Sequence, residues 1–227
     1  MTFTRYAIYF APPAEAEWTK FATSWLGWDM ETGEGVAHPT VDGVDVEAVT
    51  QVPRKYGLHA TMKPPFRLRD GQSIEALTEA CARLAQVQPP VTLDGLEIAR
   101  LGRFLALRPL GDEAALNTLA AACVRDLDSF RSPAPEAELE RRRAAGLSPE
   151  QDANLVQWGY PYVMEAFRFH ITLSGKLDKP TLATVQAALQ SKLVPLLPKP
   201  FPITDLALIG EAEDGRFHLI HRYALSG

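Results

Sequence analysis

Two short segments of the chain carry the same pair of polar residues at the same spacing. His59 and Thr61 lie two positions apart in GLHATMK, and His170 and Thr172 lie two positions apart in RFHITLS. Imidazole titrates near pH 6.5, so two histidines can hold one neutral and one protonated ring near neutral pH. The neutral ring can take a proton from water, the protonated ring can give one to a departing oxygen, and threonine hydroxyls can donate to phosphate oxygens. This set of residues suits phosphodiester hydrolysis that needs no metal ion.

An internal repeat relates the two segments. Each is followed by a helical pattern and then by two strands, the second of which opens with an Arg-Phe pair. His59 and His170 are 111 positions apart (170 − 59), and Phe104 and Phe217 are 113 apart (217 − 104). One His-x-Thr strand alone is weak grounds for a catalytic site, but two in matching places of a repeat are hard to attribute to chance.

The repeat predicts the organisation of the chain. We expect a single α+β domain over residues 1–227 made of two similar lobes, roughly residues 1–130 and 160–227. If the lobes pack around a pseudo-twofold axis, each would present its His-x-Thr strand to a shared cleft. Residues 133–159 are charged and helical in pattern and are predicted to be an insertion, whose role as a lid over the cleft is a hypothesis.

Strand geometry predicts which side chains face the cleft. Because side chains alternate between the two faces of a strand, the first motif places three polar groups on one face: His59, Thr61 and Lys63. The second motif places four on the corresponding face: Arg168, His170, Thr172 and Ser174. We predict catalytic roles for the two histidines and phosphate binding for the two threonines and Lys63.

Other polar residues near the motifs are candidate substrate contacts. Tyr56 precedes the first motif and can stack on or hydrogen-bond a substrate, and Arg168 and Ser174 flank the second motif. The structural alternatives are a strand-end aromatic ring and solvated polar groups. Arg5 and Tyr9 share one face of the first predicted strand, and the sequence does not show whether that face lines the cleft.

Composition and charge limit the classes of partner. The 227 residues are 46% hydrophobic and 22% charged, which is typical of a soluble globular protein. A formal net charge of −5 argues against a long nucleic acid as partner, because such proteins usually present a basic face. A small phosphorylated substrate is compatible with this charge, since a few local cations can attract an anion into a cleft. The amino-terminal segment lacks the features of a signal peptide, and no membrane-spanning segment is predicted.

The spacing of the two cysteines and of the carboxy-terminal histidines does not indicate a cofactor site. Cys81 and Cys123 lie in separate helical patterns without CxxC spacing, so we expect buried thiols in a reducing cytoplasm. His218 and His221, three residues apart on a strand, would point to opposite faces, so they are unsuited to a shared metal. We therefore predict neither a metal site nor an organic cofactor.

The motifs resemble those of the two-histidine (2H) phosphoesterases. The signature of that superfamily is a pair of His-x-Thr/Ser motifs, each on a strand and each followed by an apolar residue. His59-Ala60-Thr61-Met62 and His170-Ile171-Thr172-Leu173 both match it. The resemblance implies a bilobal duplicated α+β fold, with two antiparallel sheets around a central cleft, helices outside and a first strand that can exchange between the lobes. It also implies acid–base roles for the histidines and phosphate-binding roles for the threonines.

Within that superfamily, RYAIYFAPP, YGLHATMKPPF and FRFHITLSG resemble the DUF1045 subfamily of phosphonate-metabolism proteins. This resemblance extends over nearly the whole chain and implies hydrolysis of a small cyclic phosphodiester, such as phosphoribosyl 1,2-cyclic phosphate, in a carbon–phosphorus lyase pathway. Two alternatives stay open: processing of 2′,3′-cyclic or 2′–5′ RNA ends, and non-catalytic binding of a phosphorylated ligand.

Overall fold

The computed structural model describes residues 2–227, and both helices and strands occur throughout this part of the chain. The strands are β1 (Arg5–Phe10), β2 (Trp28–Asp29), β3 (Glu34–Gly35), β4 (Ala60–Phe66), β5 (Val91–Leu93), β6 (Gly95–Leu101), β7 (Phe104–Leu110), β8 (Ile171–Thr172), β9 (Phe201–Ile203), β10 (Asp205–Glu211) and β11 (Phe217–Ala224). The helices are α1 (Glu17–Leu26), α2 (Val46–Thr50), α3 (Ile74–Val87), α4 (Ala114–Asp126), α5 (Glu136–Arg143), α6 (Pro149–Trp158) and α7 (Lys179–Lys192).

Seven strands form one antiparallel sheet in the order β11-β10-β1-β4-β8-β7-β6. The two predicted sheets are therefore joined edge to edge, and the junction is the register pair Ala60↔Ile171 between β4 and β8. Two short two-stranded ladders, β2-β3 and β5-β9, complete the strand pairing. The predicted α+β architecture with antiparallel sheets is confirmed.

Strands of the two sequence repeats are interleaved in this sheet. The hairpin β6-β7 comes from the first repeat, yet β7 pairs with β8 of the second repeat. The hairpin β10-β11 comes from the second repeat, yet β10 pairs with β1 at the amino terminus. The boundaries 1–130 and 160–227 thus describe the repeat in sequence, whereas each half of the sheet takes strands from both repeats.

The apolar core lies on one face of the sheet, under the long helices. Ile8, Phe10 and Ala60 point to this face, where helices α3, α4 and α7 bury their apolar stripes. Helix α3 illustrates the local rules: Ser73 caps it by accepting from the amide of Ala76, and its apolar positions recur at helical spacing. The opposite face carries a smaller apolar cluster and is left open for the site.

The second motif strand is much shorter than its sequence pattern predicts. Only Ile171 and Thr172 form the regular ladder of β8, because the next two amides converge on a single carbonyl of β7 and the alternation ends there. The amides of Leu173 and Ser174 both bond to the carbonyl of Leu105, and Trp25 of α1 donates its indole N–H to the carbonyl of Leu173. These bonds hold the end of the strand in place without a longer ladder.

The segment 133–159 contains two helices, α5 and α6. Ser148 and Gln151 form the capping box that begins α6, with Pro149 in the first turn and Gly159 in the left-handed conformation at its end. Glu138 and Arg142, four residues apart on α5, form an ion pair at 2.7 Å. None of the helices in the described residues 2–227 is long and apolar enough to cross a membrane.

Candidate active site

One register pair brings the four motif side chains together. Ala60 lies opposite Ile171, so antiparallel pairing places His59 beside Thr172 and Thr61 beside His170. Ala60 and Ile171 point into the helix-covered core, and alternation therefore sends the other four side chains to the open face. Side chains directly opposite one another in a ladder lie about 5 Å apart at Cβ. The result is a two-by-two array of imidazoles and hydroxyls with local twofold symmetry.

Each imidazole is oriented by a backbone carbonyl two residues earlier. Nδ1 of His59 lies 3.1 Å from the carbonyl oxygen of Gly57, and Nδ1 of His170 lies 2.8 Å from that of Arg168. A carbonyl can only accept, so Nδ1 of each ring carries the hydrogen and donates. Nε2 is then the free nitrogen of each neutral ring, and Nε2 of His59 lies 3.2 Å from Oγ1 of Thr61.

The carbonyl that orients His59 belongs to Gly57, whose backbone conformation favours glycine. Its backbone adopts φ +66° and ψ −171°, a conformation that is essentially restricted to glycine. This geometry ends the short 3₁₀ turn Pro53–Tyr56 and directs the Gly57 carbonyl at the ring of His59. The glycine of the GLH segment is thus part of the apparatus that positions the imidazole.

Two tyrosines enclose His59. The ring of Tyr9 on β1 stacks on the imidazole with centroids 3.7 Å apart, and Tyr56 meets it edge-on at 5.6 Å. This burial lowers the pKa of His59 to about 4, because loss of water penalises the charged ring. Burial also raises the pKa values of Tyr9 and Tyr56, which stay neutral. His59 is therefore a neutral imidazole at pH 7.

The four motif side chains line a cleft of about 290 Å³, which we call the catalytic cleft. Arg5, Tyr9, Tyr56 and Phe217 complete the side near β1. Two further residues, Lys55 and Tyr160, were not singled out from the sequence. Lys55 directly precedes Tyr56, so its position near the first motif could have marked it as a cleft residue. Tyr160 directly follows the insertion, and no pattern in the sequence marked it.

Lys63 does not share a face with His59 and Thr61, so that prediction is wrong. A β-bulge intervenes: Tyr9 pairs with Thr61, but the next residue back, Ile8, pairs with Lys63. Lys63 therefore points to the core face, where its Nζ donates to the carbonyl of Val124 at 2.9 Å. Burial lowers its pKa to about 8. Alternation alone does not reveal the bulge, but Pro64 and Pro65, which directly follow Lys63, were a usable signal because proline cannot donate to a strand ladder.

Ser174 and Arg168 also lie outside the catalytic cleft. Ser174 is 1% exposed, and its hydroxyl accepts from the amide of Leu105 at 2.9 Å, so its role is structural. Arg168 donates to the carbonyl of Glu165 at 2.8 Å and lines a neighbouring apolar pocket of about 310 Å³, together with His170 and Tyr160. Tyr56, by contrast, lies in the cleft as predicted.

Groups suited to a metal ion are not assembled in the described residues. In residues 2–227, no group of three or more histidine, cysteine, aspartate or glutamate side chains is placed so that it could hold a metal ion. Cys81 and Cys123 are both buried and unpaired, as predicted. Burial raises their thiol pKa values, so neither is a reactive thiolate.

Comparison with known families shows which family the chain belongs to. The family described as "Protein of unknown function (DUF1045)" matches residues 61–218, which is well over half of the chain. The chain belongs to the DUF1045 family. The match begins at Thr61, two residues after the first catalytic candidate, and includes the whole second motif. The subfamily resemblance drawn from the motifs is thereby confirmed.

Two curated relatives of this DUF1045 chain carry the same name. It is 38% identical over 82% of its length to ribose 1,5-bisphosphate phosphokinase PhnN of Janthinobacterium sp. (strain Marseille), of which it covers 42%. It is 34% identical over 93% of its length to the protein of that name from Laribacter hongkongensis (strain HLHK9), of which it covers 49%. The chain thus spans less than half of each relative.

Several solved structures are similar over the full length. E. coli LigT complexed with 3′-AMP matches with a TM-score of 0.48 at 18% identity, covering 100% of both chains. A structure described as a phosphoesterase matches with a TM-score of 0.45 at 16% identity, also over 100% of both chains. TT0787 of Thermus thermophilus matches with a TM-score of 0.44 at 15% identity over 98% of both chains.

Proposed function

We propose that this protein is a metal-independent phosphodiesterase that hydrolyses a small cyclic phosphodiester through its two histidines. The observation that carries the proposal is the register pair Ala60↔Ile171, which sets both imidazoles and both hydroxyls around one cleft. A structural role alone would not require two rings whose Nδ1 atoms are each tied to a backbone carbonyl.

The environment of the two rings supports a division of labour. His59 is neutral because burial lowers its pKa, so its Nε2 can accept a proton from an attacking water. His170 has a more open environment, with Phe104 at 6.1 Å as its aromatic neighbour, and is the group left to deliver a proton to the departing oxygen. The water oxygen bonds to phosphorus, the phosphorus–oxygen bond to the leaving group breaks, and each histidine changes its protonation state once.

Phosphate oxygens have hydrogen-bond donors on both sides of the array. Thr61 and Thr172 can each donate a hydroxyl to a non-bridging oxygen, where negative charge grows as the nucleophile adds. Lys55 at the cleft wall replaces Lys63 as the cation near the phosphate. A cleft of about 290 Å³ suits a small substrate, in agreement with the net charge of −5.

The names of the relatives support a substrate in phosphonate metabolism. Both are named for activity on ribose 1,5-bisphosphate. Phosphoribosyl 1,2-cyclic phosphate would yield that compound if water cleaved the bond between phosphorus and ribose O2, because the phosphate then stays on C1. We therefore favour this substrate and this bond, with ribose O2 as the oxygen that His170 protonates.

Processing of RNA ends is the second candidate, and the aromatic rings of the cleft favour it. Tyr56 and Tyr160 lie in the cleft wall, where a nucleobase can stack.

A non-catalytic binder of a phosphorylated ligand is the third candidate. The matched orientation of the two histidines argues against it, because a binder needs no proton transfer.

Turnover of two substrates in the presence of a chelator tests the proposal. We expect hydrolysis of phosphoribosyl 1,2-cyclic phosphate, undiminished by the chelator, with ribose 1,5-bisphosphate as product. Hydrolysis of 2′,3′-cyclic nucleotides alone would move the function to RNA ends. Hydrolysis of neither compound would contradict the enzyme proposal and favour the binder, and activity abolished by the chelator would contradict metal independence.

A further inference from the structure

A second cavity, of about 510 Å³, adjoins the catalytic cleft. Arg5 and Pro65 line both, so the two cavities are contiguous. We call the second cavity the arginine pocket, because five arginines line it: Arg5, Arg67, Arg131, Arg141 and Arg142.

The arginine pocket is strongly positive on an acidic protein. Glu138 and Glu211 are the carboxylates in its wall, so five arginines leave a formal charge of +3. Counting Asp128, which pairs with Arg131 from behind, the charge is still +2, whereas the whole chain carries −5. Carboxylates offset three of the five arginine charges, and the remaining positive charge belongs to Arg67 and Arg141. A cavity whose lining keeps a net positive charge attracts an anion.

Three of the arginines are held in place by carboxylates. Arg5 makes a two-bond contact with Glu211, Arg131 does so with Asp128, and Arg142 bonds Glu138 through both Nε and Nη2. Each fork is thereby fixed in direction, which reduces the entropy lost when a ligand binds.

Two of the arginines have donors to spare. Within residues 2–227, the guanidinium of Arg67 makes no side-chain hydrogen bond or ion pair and is exposed to solvent. Arg141 is 77% exposed in its side chain, and its partner Glu138 is 4.0 Å away and already bonded by Arg142. Both guanidinium groups are free to close on an anion in the pocket.

The chemistry of the pocket identifies the class of ligand. A guanidinium fork matches two oxygens of a phosphate, and several forks favour a dianionic phosphomonoester over a monoanionic diester. We propose that the arginine pocket binds a terminal phosphomonoester of the substrate, one sugar away from the phosphodiester that reacts between the histidines. This inference rests on the proposed function and adds the group that selects the substrate.

The insertion, residues 133–159, contributes side chains to the arginine pocket. Helix α5 supplies Glu138, Arg141 and Arg142 to the pocket, and Arg142 also lies over the ring of Tyr160, 4.9 Å from its centroid, at the cleft wall. The insertion therefore builds a specificity subsite beside the cleft, with Arg141 and Arg142 in its wall.

Calorimetric titration with ribose 5-phosphate tests the pocket without requiring turnover. We expect binding to the wild type, no binding of ribose, and affinity lowered about tenfold or more in Arg67→Gln and in Arg141→Gln, since each loses charged hydrogen bonds. Arg83→Gln is the matched control, because it removes an arginine on α3 whose side chain is 66% exposed, and should keep the wild-type affinity. Absence of binding, or equal affinity in all four proteins, would overturn the inference.

Kinetics then connect the pocket to catalysis. The wild type should prefer phosphoribosyl 1,2-cyclic phosphate over ribose 1,2-cyclic phosphate in kcat/KM. Arg67→Gln and Arg141→Gln should each shrink that preference about tenfold, whereas the control Arg83→Gln should keep it. An unchanged preference in both variants would contradict the subsite. If neither compound is hydrolysed, the proposed reaction fails, yet the titration still decides whether the pocket binds a phosphomonoester.

Discussion

The enclosed ring of His59 couples the stability of the protein to pH. Burial lowers its pKa to about 4 in the folded chain, whereas a histidine in the unfolded chain titrates near 6.5. Between these values the unfolded chain binds a proton that the folded chain does not. The contribution of His59 to the free energy of unfolding is therefore fully present above about pH 6.5, and it is lost as the pH falls towards 4. The two pKa values correspond to a loss of roughly 2 kcal/mol at pH 5 and roughly 3 kcal/mol once the pH is below 4.

Urea unfolding of wild type and His59→Gln at pH 7 and pH 5 measures this contribution. Glutamine keeps a polar side chain but does not titrate, and the other titrating groups cancel when the two pH differences are compared. We expect the wild type to lose about 2 kcal/mol more than His59→Gln between the two pH values. An NMR titration of the imidazole should place its pKa near 4. Equal pH dependence of the two proteins, or a titration near 6.5, would refute the argument that Tyr9 and Tyr56 keep the ring neutral.

Three substitutions test the positions of other residues. Gly57→Ala should cost about 1–3 kcal/mol of stability in urea unfolding and should lower kcat, because the φ of +66° at this position strains any residue with a side chain. The control Gly35→Ala, which has open space around it, should cost far less in the same assay. Lys63→Met should leave kcat/KM within about twofold of wild type, and a loss of about tenfold or more would restore a phosphate role for this buried lysine. Ser174→Ala should lower the urea-derived stability by roughly 1–3 kcal/mol without changing KM, because the amide of Leu105 loses its acceptor; a raised KM at unchanged stability would contradict this.

The sequence predicted the central array because one simple periodicity governs it. Alternation along a strand places His59 and Thr61 on one face, and the repeat supplies His170 and Thr172 to match. The joining of β4 to β8 at Ala60↔Ile171 was not predicted, since strand pairing between repeats depends on the whole sheet. It is this pairing that converts two separate motifs into one site.

The failures have equally specific causes. Lys63 was assigned to the wrong face because a bulge inserts one residue opposite β1. Pro64 and Pro65, which directly follow Lys63, signal an irregular ladder, but simple alternation takes no account of them. Ser174 was assigned to the cleft because the pattern implied a long strand, whereas β8 ends at Thr172. The stacking of Tyr9 on His59 requires knowledge of which face of β1 meets β4, and alternation alone leaves that choice open.

The central claim is that His59 and His170 together perform acid–base catalysis, and turnover of the single variants tests it most directly. With phosphoribosyl 1,2-cyclic phosphate as substrate, His59→Ala and His170→Ala should each lose about 10²–10⁴-fold in kcat while unfolding in urea cooperatively, as the wild type does. The double variant should be little worse than either single one, because the two rings act in the same step. Retention of wild-type kcat in either single variant would contradict the two-histidine mechanism.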